Sequence, residues 1–353
     1  MTGFLRALRG ELYALGRRRQ MKLALLVVVA GVILRLLWAH FQVGGSLSGS
    51  LDETLIARRS NFWPRFAQAA GVGMILTELL TLVTLGAALP REIGRGAARD
   101  PLVRRISRPA FLLARAVTAM FFPLVLAAAA FASAAAGGLL LFPPGNVTAP
   151  PVVIDDDPAT RAAYQKWLAE TGVSENDLAA WLRYRDDGLE QGLSGEEAAG
   201  TASGRLGLPP IHLSEEFESH VPLLIFFESE IRGGILDAIR DCVLPLLILG
   251  LFSFCVSVIF PSSALSAGVA LGSVLLFGVF LARELGDGAW WFFPDWLPVM
   301  GADSQLELAR KVADGYGEPL TSPEALRTGV LGSFAEGLGF LILSLVVFRR
   351  RRL

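Results

Sequence analysis

Six runs of apolar residues, at about 22–41, 66–89, 109–142, 240–260, 263–283 and 328–348, constrain this 353-residue chain more than any motif does. Hydrocarbon offers no water to backbone N–H and C=O groups, so an apolar run of about 20 residues there must be helical. An all-α integral membrane protein with six transmembrane helices is therefore expected. Composition agrees: 53% of residues are hydrophobic and 18% charged, against about 25% charged in ordinary soluble domains. The third run, at about 1.5 Å rise per residue, is longer than the hydrocarbon is thick, so it should project beyond it or break near Pro123. The fourth and fifth are separated only by Pro261, Ser262 and Ser263, which suits a tight turn. Arg17, Arg18, Arg19 and Lys22 precede the first run, as in a secretory signal. That run is longer than a typical signal core and no small-x-small cleavage site follows, so an uncleaved first span is expected.

Net charge is −1, which gives no bulk electrostatic reason to bind nucleic acid. The distribution is more informative. Arg6, Arg9, Arg17, Arg18, Arg19 and Lys22 lie at the start. Arg91, Arg95, Arg99, Arg104, Arg105 and Arg108 fill the connector between runs two and three, and Arg349–Arg352 end the chain. In a six-span path all three groups fall on one side. Asp155–Asp157 and the carboxylates up to Glu218 fall on the other, with Asp295, Asp303, Glu307, Asp314 and Glu318. Basic residues are retained in the cytoplasm, so both termini are expected there, in a plasma or bacterial inner membrane. Retention by itself is one sufficient explanation of the arginines.

Three regions follow: 1–142 with spans one to three and a cytoplasmic connector at 90–108; an extracytoplasmic insertion at 143–235; and 236–353 with spans four to six. Within the insertion, 158–172 and 174–188 read as short amphipathic helices. Ser174 is a candidate N-cap with Asp177 three residues on, and Trp167, Leu168, Leu178, Trp181 and Leu182 form a candidate core. "SGEEAAGTASGRLGLPP" reads as a mobile linker. "WWFFPDWLP", 290–298, reads as an outer aromatic belt with room for re-entrant turns. Phe4, Leu8, Leu12 and Leu15 recur at helical spacing, which suits an interfacial helix on the cytoplasmic surface.

Catalytic motifs are sparse. Without G-x-x-x-x-G-K-[ST] the chain cannot cradle nucleotide phosphates in the P-loop manner, so it is not expected to be an enzyme of that kind. His40, His212 and His220 are scattered, and no metal or cofactor is expected. Cys242 and Cys255 are thirteen helical positions apart, about 20 Å, too far to bridge within one helix. Ionisable residues inside spans must be paired, hydrated or snorkelled. Glu78 near the middle of span two and Glu336 in span six are candidates for lining a substrate pathway or for structural pairing. Arg35 is placed to snorkel to the outer surface or, if those helices touch, to pair with Glu336, and Arg115 is placed to snorkel inward.

With "GELYALGRRRQMKLALL" at the start, "LVRRISRPAFLLARAV" after Glu92–Gly96, and "LSLVVFRRRRL" at the end, the chain resembles the transmembrane subunits of type-2 ATP-binding-cassette (ABC) exporters. Ser107 and Arg108 match that family's Ser-Arg pair and Gly96 its glycine. Ala97 stands for its threonine, and Ala114–Arg115 for its Gly-Lys. Pro101 and the long insertion depart from the pattern. The resemblance implies a permease that dimerises with itself or a paralogue and couples to a separate ABC ATPase, which would bind the ATP. Glu92, Gly96, Arg104, Arg105, Ser107 and Arg108 would form the docking stretch. Membrane lipid, and an extracytoplasmic protein at the insertion, are the other expected partners. A non-transporting receptor or assembly scaffold is the alternative reading.

Overall fold

A computed structural model describes residues 2–45, 61–94, 107–149, 158–211, 213, 215–218, 220–221, 223–281, 284, 292–301, 304–313 and 323–350. Among the described residues the regular structure is helical apart from one short two-stranded ribbon. Helix α1 (Thr2–Arg17) is followed by α2 (Arg19–Gly45), α3 (Phe62–Gly86), α4 (Ala88–Gly94) and α5 (Arg108–Leu141). The insertion holds β1 (Val147–Ala149), α6 (Pro158–Thr171), α7 (Glu175–Glu190), α8 (Gly195–Leu206), α9 (Glu215–Glu218) and β2 (Leu223–Phe226). Then come α10 (Glu228–Asp241), α11 (Val243–Ile259), α12 (Ser263–Leu275), a π-helical turn at Leu276–Leu281, a 3₁₀ turn at Phe293–Trp296, α13 (Gln305–Ala313) and α14 (Pro323–Arg350).

Five helical stretches are long and apolar enough to cross a membrane: Arg19–Gln42, Phe62–Gly94, Arg108–Leu141, Glu228–Ile259 and Arg327–Arg350. The fifth apolar run of the sequence instead supplies a shorter apolar helix, Ser263–Gly278, that passes into the π-helical turn. Side-chain burial shows why these helices need lipid. On α2 only the stripe Met21, Ala24, Val28, Val32, Leu36 and Ala39 is buried, while Leu23, Leu26, Leu34, Trp38 and Phe41 point away from the protein. An apolar surface of that extent is not tolerated in water. Helices α3 and α11 form the centre of the bundle, with buried residues around most of their circumference.

The third span does not break. α5 runs through Pro123 as a single helix. Proline lacks the N–H that would bond the carbonyl four residues back, here that of Ala119. This carbonyl faces α11 so closely that a Cβ on Gly250 would lie 2.3 Å from its oxygen. The missing side chain of Gly250 lets the two helices approach where the proline sits. Small residues at such crossings supply packing that lipid-immersed helices cannot obtain from the hydrophobic effect.

The insertion folds around its own core. Tyr164, Leu178, Trp181, Ala202, Ile211 and Leu224 are buried together, with Trp167, Leu168 and Leu182 packed against them. The Ser174 cap forms, its hydroxyl accepting from the Asp177 N–H at 3.1 Å. The stretch read as a mobile linker is helix α8. Ser194 and Glu197 make a capping box, Gly207 ends the helix at φ 64°, and Ala198 and Ala202 are buried. Its glycine content masked an S-x-x-E start signal with two alanines on one face. Arg185 is held protonated above its ordinary range, chiefly by a hydrogen bond to Glu218, which ties α7 to α9. β1 and β2 pair antiparallel and close the insertion at its root. There Asn61 caps α3 and its amide donates to the Gly145 and Asn146 carbonyls at 3.0 Å each. The start of α5 lies at the other end of the bundle, beside α1 through Arg115 and Glu11 and beside the last turns of α14 through Phe111 and Phe348.

Candidate functional site

At the end of the bundle where α5 begins, four charged side chains from three helices and the break between α1 and α2 converge. α1 turns its Ala7, Glu11 and Leu15 face toward α5, leaving Leu12 40% exposed, so the inward stripe includes a carboxylate that apolar spacing alone did not identify. Arg18, in the break between α1 and α2, reaches Glu11 at 3.3 Å and Glu92 of α4 at 3.2 Å. Arg115 of α5 reaches Glu11 at 3.2 Å and also pairs with Glu92. Two guanidiniums and two carboxylates thus alternate in a closed ring. Arg115 and Glu11 are only 10% and 13% exposed, so the ring is shielded on that side and more open at Arg18. Alternating charges of this kind fix geometry even where their net stabilisation is small.

The ring places the expected docking residues as follows. Glu92 is a member. Ser107 is the N-cap residue of α5, and Arg108 its first residue with Pro109 behind it. Gly96, Arg104 and Arg105 lie outside the described residues. Arg18 and Arg115, read from sequence as a topological signal and a snorkelling side chain, are the partners of Glu92. The seven-residue spacing of Glu11 and Arg18, two helical turns, was the available clue to a shared face.

Deeper in the bundle lie Glu78 and Glu336. Glu78 is completely buried on α3, and its carboxylate oxygens accept from the Val299 and Met300 N–H groups at 2.9 and 3.1 Å. Glu336 on α14 accepts from the Phe293 N–H at 2.8 Å. Segment 292–301 is thus held at both ends by carboxylates from different spans. Of the expected aromatic belt, Phe293 and Trp296 are buried, as are Pro294, Asp295 and Leu297 between them. A carboxylate acceptor in each flanking helix lets this non-helical backbone sit inside the bundle, where its N–H groups would otherwise lack partners. The expected Arg35–Glu336 pair does not form. Arg35 donates to Gln68 at 2.9 Å because α2 packs against α3 and α5, whereas α14 packs against α11. Cys242 and Cys255 are free and buried.

No family model matches the chain, and no curated protein is similar to it at a significant level.

Proposed function

We propose that the chain is the membrane-spanning permease subunit of an ABC exporter, forming the substrate pathway as a homo- or heterodimer while a separate ATPase supplies the energy. In this reading six segments traverse the membrane and both termini are cytoplasmic. α1 lies in the cytoplasmic interface, and the insertion caps the opposite face. The observation that carries the reading is the ring around Glu92. The base of the arginine-rich connector is clamped to α1, to the start of α2 and to α5, so a force applied to residues 95–106 by a docked protein would pass into three helices at once. Spans that only anchor a receptor need no such clamp. Glu78 and Glu336 hold segment 292–301 across the bundle, and in this reading that segment would border the pathway between α3 and α14.

The test is co-expression with candidate ABC ATPases, purification in detergent, and measurement of ATP hydrolysis in the complex. A complex is expected to form and to be lost on charge reversal of Arg104, Arg105 and Arg108. An ATPase that remains bound and stimulated after that reversal would refute the docking role. The receptor or scaffold reading draws on the insertion having its own core. It would be favoured by capture of an extracytoplasmic protein on the insertion with no ATPase association.

A further inference from the structure

Near the insertion end of the bundle, a cavity of about 440 Å³ opens where the α10–α11 junction, the 3₁₀ turn and the first turns of α14 meet. Its walls are apolar: Leu244 and Pro245 from α11, Trp296 from the buried segment, and Val330 from α14. Its charged groups are Arg240 and Asp241 from the end of α10 and Arg327 from the start of α14, and the Ser333 hydroxyl lines it as well. Arg240 already has carboxylates, Asp237 at 3.0 Å and Asp241 at 3.1 Å. Arg327 makes no ion pair among the described residues and is exposed. Gly329 leaves the room: a Cβ there would lie 2.1 Å from the Trp296 ring, so the indole packs flush against α14 as one wall.

We infer that this cavity binds a phospholipid from the leaflet on the insertion side, its phosphodiester on Arg327 and the upper part of one acyl chain along Trp296, Leu244 and Val330. Three observations favour a lipid over a free anion or a soluble ligand. The walls are mainly apolar, which a free phosphate cannot use. The guanidinium lies where α14 changes from polar to lipid-facing residues, beginning with the exposed Val330 and Leu331, which is the depth of a headgroup. The volume is below that of a whole two-chain lipid but within the range of about 300–1,000 Å³ that accommodates a bound small molecule or part of a larger one. Guanidinium with phosphate is a charge-assisted pairing that adds directional hydrogen bonds to the charge attraction.

The site stands apart from the transport reading, because it requires neither an ATPase nor turnover. The full chain, purified in detergent, is titrated with dioleoyl phosphatidylglycerol and with diolein, which has the same chains and no phosphate, and binding is read by native mass spectrometry. Phosphatidylglycerol is expected to bind at least about tenfold more tightly than diolein. Arg327→Gln should remove that advantage and leave diolein unchanged, whereas Arg327→Lys should retain part of it. Leu244→Trp, which fills the cavity, should weaken both lipids. Equal affinity for the two lipids in the wild-type protein, competition by millimolar inorganic phosphate, or phosphatidylglycerol binding unaffected by Leu244→Trp would each overturn the proposal.

Discussion

Replacing Glu78 by leucine removes the acceptors of two backbone N–H groups at once, those of Val299 and Met300. Glu78 is fully buried, so water is not at hand to replace it. An orphaned buried donor costs about 1–3 kcal/mol. Hydrogen bonds between membrane helices average nearer 0.6 kcal/mol, because the unfolded chain in lipid also finds partners. The two N–H groups together therefore set a loss of about 1–6 kcal/mol, with the lower half favoured if segment 292–301 can leave the bundle for water. Glu78→Gln keeps one carbonyl oxygen and presents an NH₂ to the second donor, so it should lose roughly half as much as leucine. Stability is read from unfolding in mixed micelles, and exposure of the segment from limited proteolysis near Gly301 and Ser304. The expected order is wild type, then Glu78→Gln, then Glu78→Leu, with proteolysis rising in the same order. A leucine variant as stable and as protease-resistant as wild type would refute the idea that this carboxylate holds the segment.

Arg115→Ala leaves Glu11 and Glu92 with Arg18 as their common partner. It should cost about 2 kcal/mol, between the 0–1 of exposed pairs and the 3–5 of a broken buried pair. Arg18→Ala should cost less, its side chain being 33% exposed against 10% for Arg115, and unfolding of both variants in mixed micelles checks the order. Gly250→Val would bring a side chain against the Ala119 carbonyl, and overpacking at such a site costs about 1–3 kcal/mol, read in the same unfolding assay. Ser194→Ala should raise amide exchange over the first turn of α8. The hydroxyl holds the Glu197 carboxyl below its ordinary range, so that contribution is present above the unfolded carboxylate pKa, about 4.3, and lost as pH falls through the depressed folded value. Hydrogen exchange across that acid range should show a smaller loss in the variant than in the wild type, the remainder coming from the position-194 backbone N–H that still donates to Glu197.

Five of the six apolar runs were legible as candidate spans because their length and composition follow from bilayer chemistry alone, whereas the run at 263–283 supplies only the shorter helix Ser263–Gly278. The Ser174 cap and the partners Leu178 and Trp181 were readable because they are local. Segment 292–301 was not. Its run of aromatic residues resembles an interfacial belt, and only the carboxylates at 78 and 336, 221 and 43 residues from their backbone partners, draw it inward. The glycine content of α8 hides a cap only four residues wide, one serine hydroxyl and one carboxylate. Gly250, which lets α11 approach the Ala119 carbonyl that Pro123 leaves without its N–H, lies on another helix and leaves no trace in the local sequence of α5. The ring around Glu92 was half visible: Arg18, Glu92 and Arg115 stand out in the sequence, but Glu11 does not, and the convergence requires α1 to fold back against α5.

The most direct measurement concerns the two faces of the membrane. Single cysteines are introduced at Asp100, in the connector, and at Glu190, at the end of α7, after Cys242 and Cys255 have been replaced by serine. Intact cells are then treated with a membrane-impermeant thiol reagent. Labelling at position 190 in intact cells, and at position 100 only after lysis, is the result expected if the arginine-rich connector faces the ATPase and the insertion faces away. Labelling of both positions, or of neither, before lysis would put docking surface and insertion in one compartment and contradict the account.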